Sequence, residues 1–173
     1  MTTVDQEHCI AAIAAGDREA LAALYRETSK DVYGFALSIL KNTHDAEDVL
    51  HDCFIAVFRA AEDYRPQGKP LAWILTITRN LCMQRLRERG RAAELPQQEQ
   101  AFFDADPEDR AVLEACLQHL KEEERQILML HAVSGFRHRE IAALLDLPLA
   151  TVLSKYHRAK KKLKSQLEGE WNA

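Results

Sequence analysis

The chain has 173 residues, of which 47 % are hydrophobic and 29 % charged, and its formal net charge is -4. Its six glycines and five prolines are few for an all-β protein, which needs many turns, so the composition favours a helical protein. The amino terminus has no basic patch ahead of an apolar run, and no eighteen consecutive residues are apolar, which argues against export and against insertion into a membrane.

Three long helices are predicted in the first half of the chain. In residues 16–40, Asp17 can serve as the N-cap, and apolar residues recur at spacings of three and four. The polar stretch NTHD interrupts this pattern and precedes a second helix over 46–62. Proline and glycine predict a loop over 64–70, and a third helix follows over 71–89.

The second predicted helix carries an acidic stripe formed by Asp45, Asp48 and Asp52. Acids near a helix amino terminus interact favourably with the helix dipole, which accounts for the first two. Asp52 lies beyond the first turn, so a docking face for a basic partner is an equal alternative.

The predicted loop at 64–70 and the helix after it combine aromatic rings with cations. The loop contributes Tyr64, Arg65 and Lys69. One stripe of the helix contains Trp73, Thr76, Asn80, Met83 and Arg87, and the core-facing set contains Leu71, Ile74, Ile77 and Leu81. Bases of single-stranded DNA stack on rings while cations contact phosphates, so the pattern predicts a site for melted DNA with an extruded base. The alternative is that Trp73 belongs to the core.

Residues 91–107 contain two prolines, lack helical periodicity and are acidic, so they are predicted to be a linker. Four helices are predicted after it, at 108–120, 122–133, 137–145 and 149–167. The net charge is -2 over 1–90, -4 over 91–110 and +2 over 111–173. The expected architecture is all-α, with two small helical domains at 1–90 and 108–173 joined by a flexible acidic linker.

The last two predicted helices form a helix-turn-helix pattern. Pro148 disfavours helical geometry at Leu147 but suits the first turn of the next helix. The inward face of that helix is predicted to contain Val152, Tyr156, Ala159, Leu163 and Leu167. The opposite stripe is predicted to contain Thr151, Ser154, Lys155, Arg158, Lys162 and Ser165.

The stretch ATVLSKYHRAKKKLKSQL, at 150–167, contains six Lys or Arg residues and no acid. In a helix-turn-helix the second helix enters the DNA major groove, where short polar side chains suit base edges and lysines suit phosphates. Arg137, His138 and Arg139, at the start of the first helix, are placed to contact the DNA backbone. The competing interpretation is an amphipathic helix with a solvated basic face. The motif alone leaves repressors, response regulators and sigma factors open.

The remaining motifs give no sign of catalysis or of a cofactor. Cys9, Cys53, Cys82 and Cys116 form no Cys-x-x-Cys pair, so a zinc site and a disulfide-linked secreted domain are disfavoured and reduced thiols in a cytosolic protein are expected. No nucleotide-binding loop and no nucleophile with a partner base is present in the sequence. We therefore expect a protein that is not an enzyme and binds no metal.

Three stretches in this order, DAEDVLHDCFIAVFRA, KPLAWILTITRNLCMQRLR and GFRHREIAALLDLPLATVLSKYHRAKKKL, resemble the two signature domains of the extracytoplasmic-function (ECF) sigma factors of the sigma-70 family. The similarity extends from about residue 16 to residue 167. It implies a cytoplasmic transcription initiation factor that binds core RNA polymerase, through the clamp of the largest subunit and the flap of the second largest, and recognises promoter DNA. Many relatives also bind an anti-sigma protein.

The resemblance also implies roles for individual residues. Core docking is assigned to Asp45, Asp48, His51, Asp52 and Phe54. Capture of the melted minus-10 element is assigned to Tyr64, Arg65, Lys69, Trp73, Thr76, Arg79, Asn80, Met83 and Arg87. Recognition of the minus-35 element is assigned to Arg137, His138, Arg139, Thr151, Ser154, Lys155, His157, Arg158, Lys161 and Lys162.

The chain departs from the family pattern at several positions. His51 stands where Gln is frequent, Asp146 and Ala150 where Gly is frequent, and Leu153 where a basic residue is frequent. Leu153 can contact a thymine methyl group but cannot hydrogen-bond a guanine. The runner-up function is a dimeric helix-turn-helix regulator that acts without core polymerase, for which a stable homodimer and a palindromic DNA site are expected.

Overall fold

The computed structural model describes residues 2–91, 119–132 and 134–170. Every regular element in these residues is helical, and no strand occurs among them, which confirms the predicted all-α fold class.

The chain separates into two units, Met1–Gln98 and Glu99–Ala173. The predicted linker at 91–107 lies outside the described residues except for Arg91, which ends a helix. The predicted helix at 108–120 also lies outside them, except for a turn at 119–120.

Four α-helices belong to the first unit and three to the described part of the second. In the first unit they are α1 (Thr3–Ala14), α2 (Arg18–Leu40), α3 (Thr43–Ala60) and α4 (Pro70–Arg91), with a 3-10 turn (Ala61–Asp63) after α3. In the second unit they are α5 (Glu122–Ala132), α6 (His138–Leu145) and α7 (Leu149–Glu170).

Side-chain caps explain where the first three helices begin. Asp17 caps α2 as predicted, because its carboxylate accepts hydrogen bonds from the N–H groups of the next helical turn. Asn42 caps α3, so this helix begins at Thr43, three residues before the predicted start. Helix α1 was not predicted; Thr2 and Asp5 form a reciprocal capping box at its start.

The core of the first unit forms where α2, α3 and α4 pack together, with α1 against them. Its fully buried side chains include Ile10, Leu24, Val32, Phe35, Cys53, Val57, Ile74, Leu75 and Cys82. On α4 the buried face consists of Ile74, Leu75, Thr78 and Cys82, whereas Leu71, Ile77 and Leu81 of the predicted set are only half-buried. The prediction was rotated by about one residue because apolar side chains flank the core face of α4 on both sides.

Two cysteines belong to this core. The Cys53 sulfur lies 3.3 Å from the Thr78 hydroxyl oxygen. Burial raises the pKa of Cys53 to about 11 and the pKa of Cys82 to about 12. Both thiols therefore stay protonated at neutral pH and act as packing groups rather than as nucleophiles.

The second unit buries one face of each of its helices. Buried side chains include Leu120, Ile127, Leu130, Ile141, Leu145, Val152 and Ala159. Helix α6 ends at Asp146, whose φ of 54° is left-handed, and the Leu147 N–H donates to the Ala142 carbonyl at 2.9 Å. The chain thereby turns directly into α7, as the helix-turn-helix pattern predicts.

A buried ion pair connects α5 to α7. Glu124 is only 2 % exposed, and its Oε2 accepts hydrogen bonds from Lys162 Nζ at 2.6 Å and from the Lys121 N–H at 3.1 Å. Burial opposes ionisation of this carboxyl, but the hydrogen bonds from Lys162 and Lys121 and the charges of Lys162 and Arg158 outweigh it, so the pKa of Glu124 is lowered. The charge of Lys162 is thus paired with a carboxylate inside the second unit.

Replacing Lys162 should destabilise the second unit. In Lys162→Met the Glu124 carboxylate loses its counter-ion while staying buried, and we expect a loss of roughly 1–3 kcal/mol, below the cost of breaking a fully buried pair because Lys162 is partly exposed. Hydrogen exchange of the α5 and α7 amides in the full chain measures the loss. The matched control is Lys161→Met, at an exposed neighbouring position, with an expected change of under about 0.5 kcal/mol. Equal losses in the two variants would contradict the role of the pair.

Candidate nucleic-acid interface

The burial of Val152 and Ala159 fixes which face of α7 points to solvent. The exposed side chains along the helix include Ala150, Leu153, Ser154, His157, Arg158 and Lys161, which we call the outward face of α7. Only part of the predicted stripe lies on this face: Thr151, Lys155 and Lys162 are half-buried, and the two lysines lie on the side toward α5. Lys155 pairs with Glu123, and Lys162 pairs with Glu124. Two lysines that the sequence assigns to DNA therefore form ion pairs within the unit.

Two residues of the outward face also make contacts along their own helix. The Ser154 hydroxyl donates to the Thr151 carbonyl at 3.0 Å, and Arg158 Nε donates to the Ser154 carbonyl at 3.4 Å. These contacts hold both side chains against the helix surface at its amino-terminal half. The face thus presents one large apolar side chain, Leu153, between polar and cationic groups; its side chain is 37 % exposed.

At the start of α6, the three predicted backbone-contacting residues fall into different environments. Arg137 and Arg139 are exposed, and the Arg137 N–H donates to the Glu140 carboxylate at 2.9 Å. His138 is half-buried, and its ring stacks on His131 of α5 with centroids 4.3 Å apart. His138 is therefore a packing residue of the second unit in this structure.

His138 belongs to an aromatic cluster with His131 and Tyr156. The Tyr156 ring packs edge-on against both imidazoles, at 4.8 Å from His131 and 4.7 Å from His138. The His131 Nδ1–H donates to the Phe136 carbonyl at 2.8 Å, because a carbonyl can only accept. Burial lowers the pKa of His138, and the nearby His131 and His157 lower it further.

In the first unit, the loop before α4 brings the predicted rings together. The Tyr64 and Trp73 ring centroids are 4.8 Å apart, with an angle of 52° between the planes. Both residues are half-buried, whereas Arg65 and Lys69 are exposed. Trp73 is thus neither a core residue nor a free platform, since one side of its ring already has an aromatic neighbour.

The other predicted minus-10 residues lie along the solvent side of α4, except Arg79, whose Nε is buried. Thr76, Asn80 and Arg87 are exposed, and Arg79 and Met83 are half-buried. Within α4, the Thr76 hydroxyl donates to the Ala72 carbonyl at 2.8 Å, and Arg87 Nε donates to the Met83 carbonyl at 3.2 Å. The fold brings these side chains onto one surface next to Trp73 and leaves Asn80 at its centre.

Arginines from α4 face the acidic stripe of α3. Arg89 pairs with Asp45, and Arg85 lies 3.2 Å from Asp48 and 4.0 Å from Asp52. The acids of the stripe therefore pair with α4 as well as facing solvent. Neither the helix-dipole interpretation nor the docking interpretation predicts these ion pairs. Asp48 and Asp52 keep most of their side-chain surface exposed, at 61 % and 55 %, so they are still available to a partner.

Two further residues of α3 were assigned to docking from the sequence. His51 is exposed, and its Nδ1–H donates to the Glu47 carbonyl at 2.8 Å. Phe54 is only 6 % exposed and packs against the Tyr25 ring at 4.8 Å, so its side chain belongs to the core instead of the surface. The exposed apolar residues of α3 are its neighbours Ile55 and Phe58, at 50 % and 42 %. Sequence reasoning missed both.

Comparisons with known proteins agree with this architecture. The sigma-70 region 2 family matches residues 24–92, and the sigma-70 region 4 family matches residues 110–163. The chain is 35 % identical to the ECF RNA polymerase sigma factor SigE of Mycolicibacterium smegmatis, over 89 % of the chain and 65 % of that protein. It is 30 % identical to the ECF sigma factor SigK of Mycobacterium ulcerans, over 90 % of both. The chain belongs to the ECF sigma factors.

Two solved structures share the fold. CnrH, in complex with the cytosolic domain of CnrY, is 25 % identical, with a TM-score of 0.69 over 95 % of this chain and 98 % of that one. The sigma factor RpoE of Bartonella quintana, in complex with the anti-sigma factor NepR, has a TM-score of 0.73 over 83 % of this chain and 94 % of that one, at 22 % identity. By the family matches, the two units contain a region 2 and a region 4 domain of a sigma factor.

None of the helices in the described parts of the sigma factor is long and apolar enough to cross a membrane. Across 2–91, 119–132 and 134–170, no three His, Cys, Asp or Glu side chains are grouped so that they could hold a metal ion.

The histidine cluster predicts that acid destabilises the region 4 domain. His138 Nε2 is buried without a hydrogen-bond partner, and the pKa of His138 is lowered on folding. The unfolded chain therefore binds more protons below about pH 6.5, so stability falls as the pH falls through that value. Calorimetry should show a larger decrease in Tm between about pH 7.5 and about pH 5.5 for the native chain than for His138→Phe, which keeps a ring but cannot titrate. Equal decreases would contradict this account.

Proposed function

We propose that this sigma factor divides its work among three surfaces. Helix α3 docks on the clamp of the largest subunit of core RNA polymerase, the 64–69 loop and α4 capture the melted minus-10 strand, and the outward face of α7 recognises the minus-35 duplex. The region 4 domain also contacts the flap of the second largest subunit. The protein acts in the cytoplasm and performs no catalysis of its own. The match of both domains in sequence order is the observation that carries this proposal.

The surface of α3 supports docking through an apolar centre with an acidic rim. Ile55 and Phe58 are exposed hydrophobic side chains, and Asp48 and Asp52 lie about one to three turns before them on the same helix. Interfaces gain most of their binding energy from a few desolvated apolar anchors, while rim charges contribute orientation and association rate. We therefore assign the anchoring contacts to Ile55 and Phe58 in place of Phe54.

We also propose an anti-sigma partner for this chain. CnrH and the Bartonella RpoE were both solved with a partner protein, and CnrH aligns with nearly the whole chain. An inhibitor that competes with polymerase would need the same exposed α3 surface. Capture from the native host of a protein that core polymerase displaces would support this proposal. A captured inhibitor that stays bound when core polymerase is added would contradict it.

Reconstitution with bacterial core RNA polymerase tests the main proposal. The purified chain should form a stable complex with core enzyme and direct transcription from a subset of a random promoter library, and the transcript starts would define its promoters. Ile55→Glu should weaken core binding about tenfold or more, because it buries a charge at the apolar centre. The control Val4→Glu places the same charge at another exposed apolar position, 59 % exposed on α1, and should leave core binding unchanged. Failure of the native chain to bind core would contradict the proposal.

The exposure of Leu153 predicts recognition of a thymine methyl group in the minus-35 element. Leu153 lies on the outward face of α7, where its apolar side chain can contact the methyl group but no polar base edge. Replacing one thymine by uracil, which removes only the methyl group, should weaken holoenzyme binding to a duplex minus-35 probe about three- to tenfold at one position.

Two variants test the assignment to Leu153. In Leu153→Ala the same uracil substitution should have no effect, because the contact is already absent. Lys161→Ala should weaken binding to all sequences alike and keep the uracil effect, since a phosphate contact carries no sequence information. Full sensitivity to uracil in Leu153→Ala would contradict the assignment.

A further inference from the structure

A carboxylate on α1 joins the two ends of the loop before α4. The Gly68 N–H donates to Glu7 Oε1 at 2.8 Å, and the Tyr64 hydroxyl donates to the same oxygen at 3.2 Å. Glu7 is 57 residues before Tyr64 and 61 before Gly68 in the chain, so the contact exists only in the folded domain. Glu7 itself is half-buried.

Backbone hydrogen bonds also act at the ends of the loop. The Tyr64 N–H donates to the Ala61 carbonyl and the Trp73 N–H donates to the Lys69 carbonyl, at 3.2 Å each. Gly68 has a φ of 68°, a left-handed backbone conformation that residues other than glycine rarely adopt. This conformation accompanies the hydrogen bond from its N–H to Glu7. The carboxylate of Glu7 thus holds this turn from another helix.

The same contact orients the aromatic pair. Burial raises the pKa of Tyr64, and the negative charge of Glu7 and the hydrogen bond to it raise this pKa further, so the hydroxyl stays protonated and donates. With its hydroxyl held by Glu7 and its ring 4.8 Å from Trp73, Tyr64 has one orientation relative to α4. A loop that is already ordered loses less conformational entropy when it binds a ligand.

We propose that Glu7 is a positioning residue for minus-10 capture: its carboxylate holds Tyr64 and Gly68 so that the loop is preformed for an extruded base. Glu7 makes no contact with DNA in this role, which suits an anionic side chain close to a phosphate backbone. The inference rests on the proposed function of the loop and adds a residue from a different helix to that site.

The test uses holoenzyme assembled from the full chain and core polymerase. The probe is a fluorescent single-stranded oligonucleotide carrying the non-template minus-10 sequence of a promoter found by the library selection. Glu7→Ala should weaken oligonucleotide binding about tenfold, because two hydrogen bonds that order the loop are lost. Glu7→Gln keeps an acceptor oxygen and should remain within about threefold of the native affinity.

Asp5→Ala is the matched control. It removes a carboxylate from the same helix together with its capping box, without touching the loop, and should leave oligonucleotide binding unchanged. Core affinity should be the same in all these chains. A loss in Asp5→Ala as large as in Glu7→Ala, or a parallel loss of core affinity, would show a general effect on the domain and overturn the proposal.

A double-mutant cycle with Tyr64→Phe separates positioning from packing. The Phe variant keeps the ring against Trp73 and removes the hydroxyl, so Glu7→Ala should have a smaller effect in that background than in the native one. Independent effects of the two substitutions, or native affinity in Glu7→Ala, would overturn the proposal.

Lys69→Ala distinguishes a failure of this inference from a failure of the proposed site. If Lys69→Ala weakens oligonucleotide binding and Glu7→Ala does not, the loop binds DNA and only the role of Glu7 is wrong. If neither substitution weakens binding, the loop is not the capture site, and the inference falls with it.

Discussion

The burial of Val152 and Ala159 is the constraint on which the proposed DNA-binding side of the region 4 domain depends. Both side chains are fully buried, and Ala159 packs with Leu120, Leu128 and Leu163. A helix has one rotation that buries a given stripe, so this packing determines which of the basic residues on α7 face solvent. It brings Lys155 and Lys162 beside the acids of α5 and directs Leu153, Ser154 and His157 outward. The residues that we propose for recognition are thus selected by the core and only secondarily by their charge.

Core packing also fixes the rotation of helix α3, where the side chains near α4 are acidic instead of basic. Its core side, which includes Cys53 and Val57, fixes the rotation that brings Asp45, Asp48 and Asp52 toward the arginines of α4. Partly exposed ion pairs of this kind contribute little to stability, so their main effect here is on the surface that a partner meets. Because arginines lie beside these acids, the negative electrostatic field of the α3 surface is weaker than its acidic residues alone would produce. The adjacent apolar pair of Ile55 and Phe58 then becomes the stronger candidate for anchoring.

The sequence predicts helix order and caps well, because both depend on local patterns. Asp17 and the turn at Asp146 are read directly from neighbouring residues. Helix rotation was less predictable: α4 has apolar side chains on both sides of its core face, and on α3 the choice between Phe54 and Ile55 depends on which one meets Tyr25. Helix α1 was missed, although Thr2 and Asp5 have the capping-box spacing.

Contacts between distant segments could not be predicted from local sequence patterns. The pairing of Lys155 with Glu123 and the reach of Glu7 to the loop both depend on how helices pack, and a run of lysines looks the same whether or not acids lie beside it. The run of three glutamates at 122–124 is a signal that could have been matched to the basic run, as a negative segment near a positive one within the same domain.

The ion pairs of Lys155 and Lys162 with α5 reduce the positive charge that α7 can offer to DNA. Of the six basic residues in 150–167, two are neutralised by α5, so the number of phosphates that α7 can neutralise is smaller than its sequence implies. Each phosphate contact contributes to affinity through counterion release, and the chain as a whole carries a net charge of -4. Weak binding of the free protein to duplex DNA is the expected result. We therefore expect a sigma factor with this charge distribution to gain promoter affinity when core polymerase brings both of its domains to the same DNA, where the second contact is made at high effective concentration.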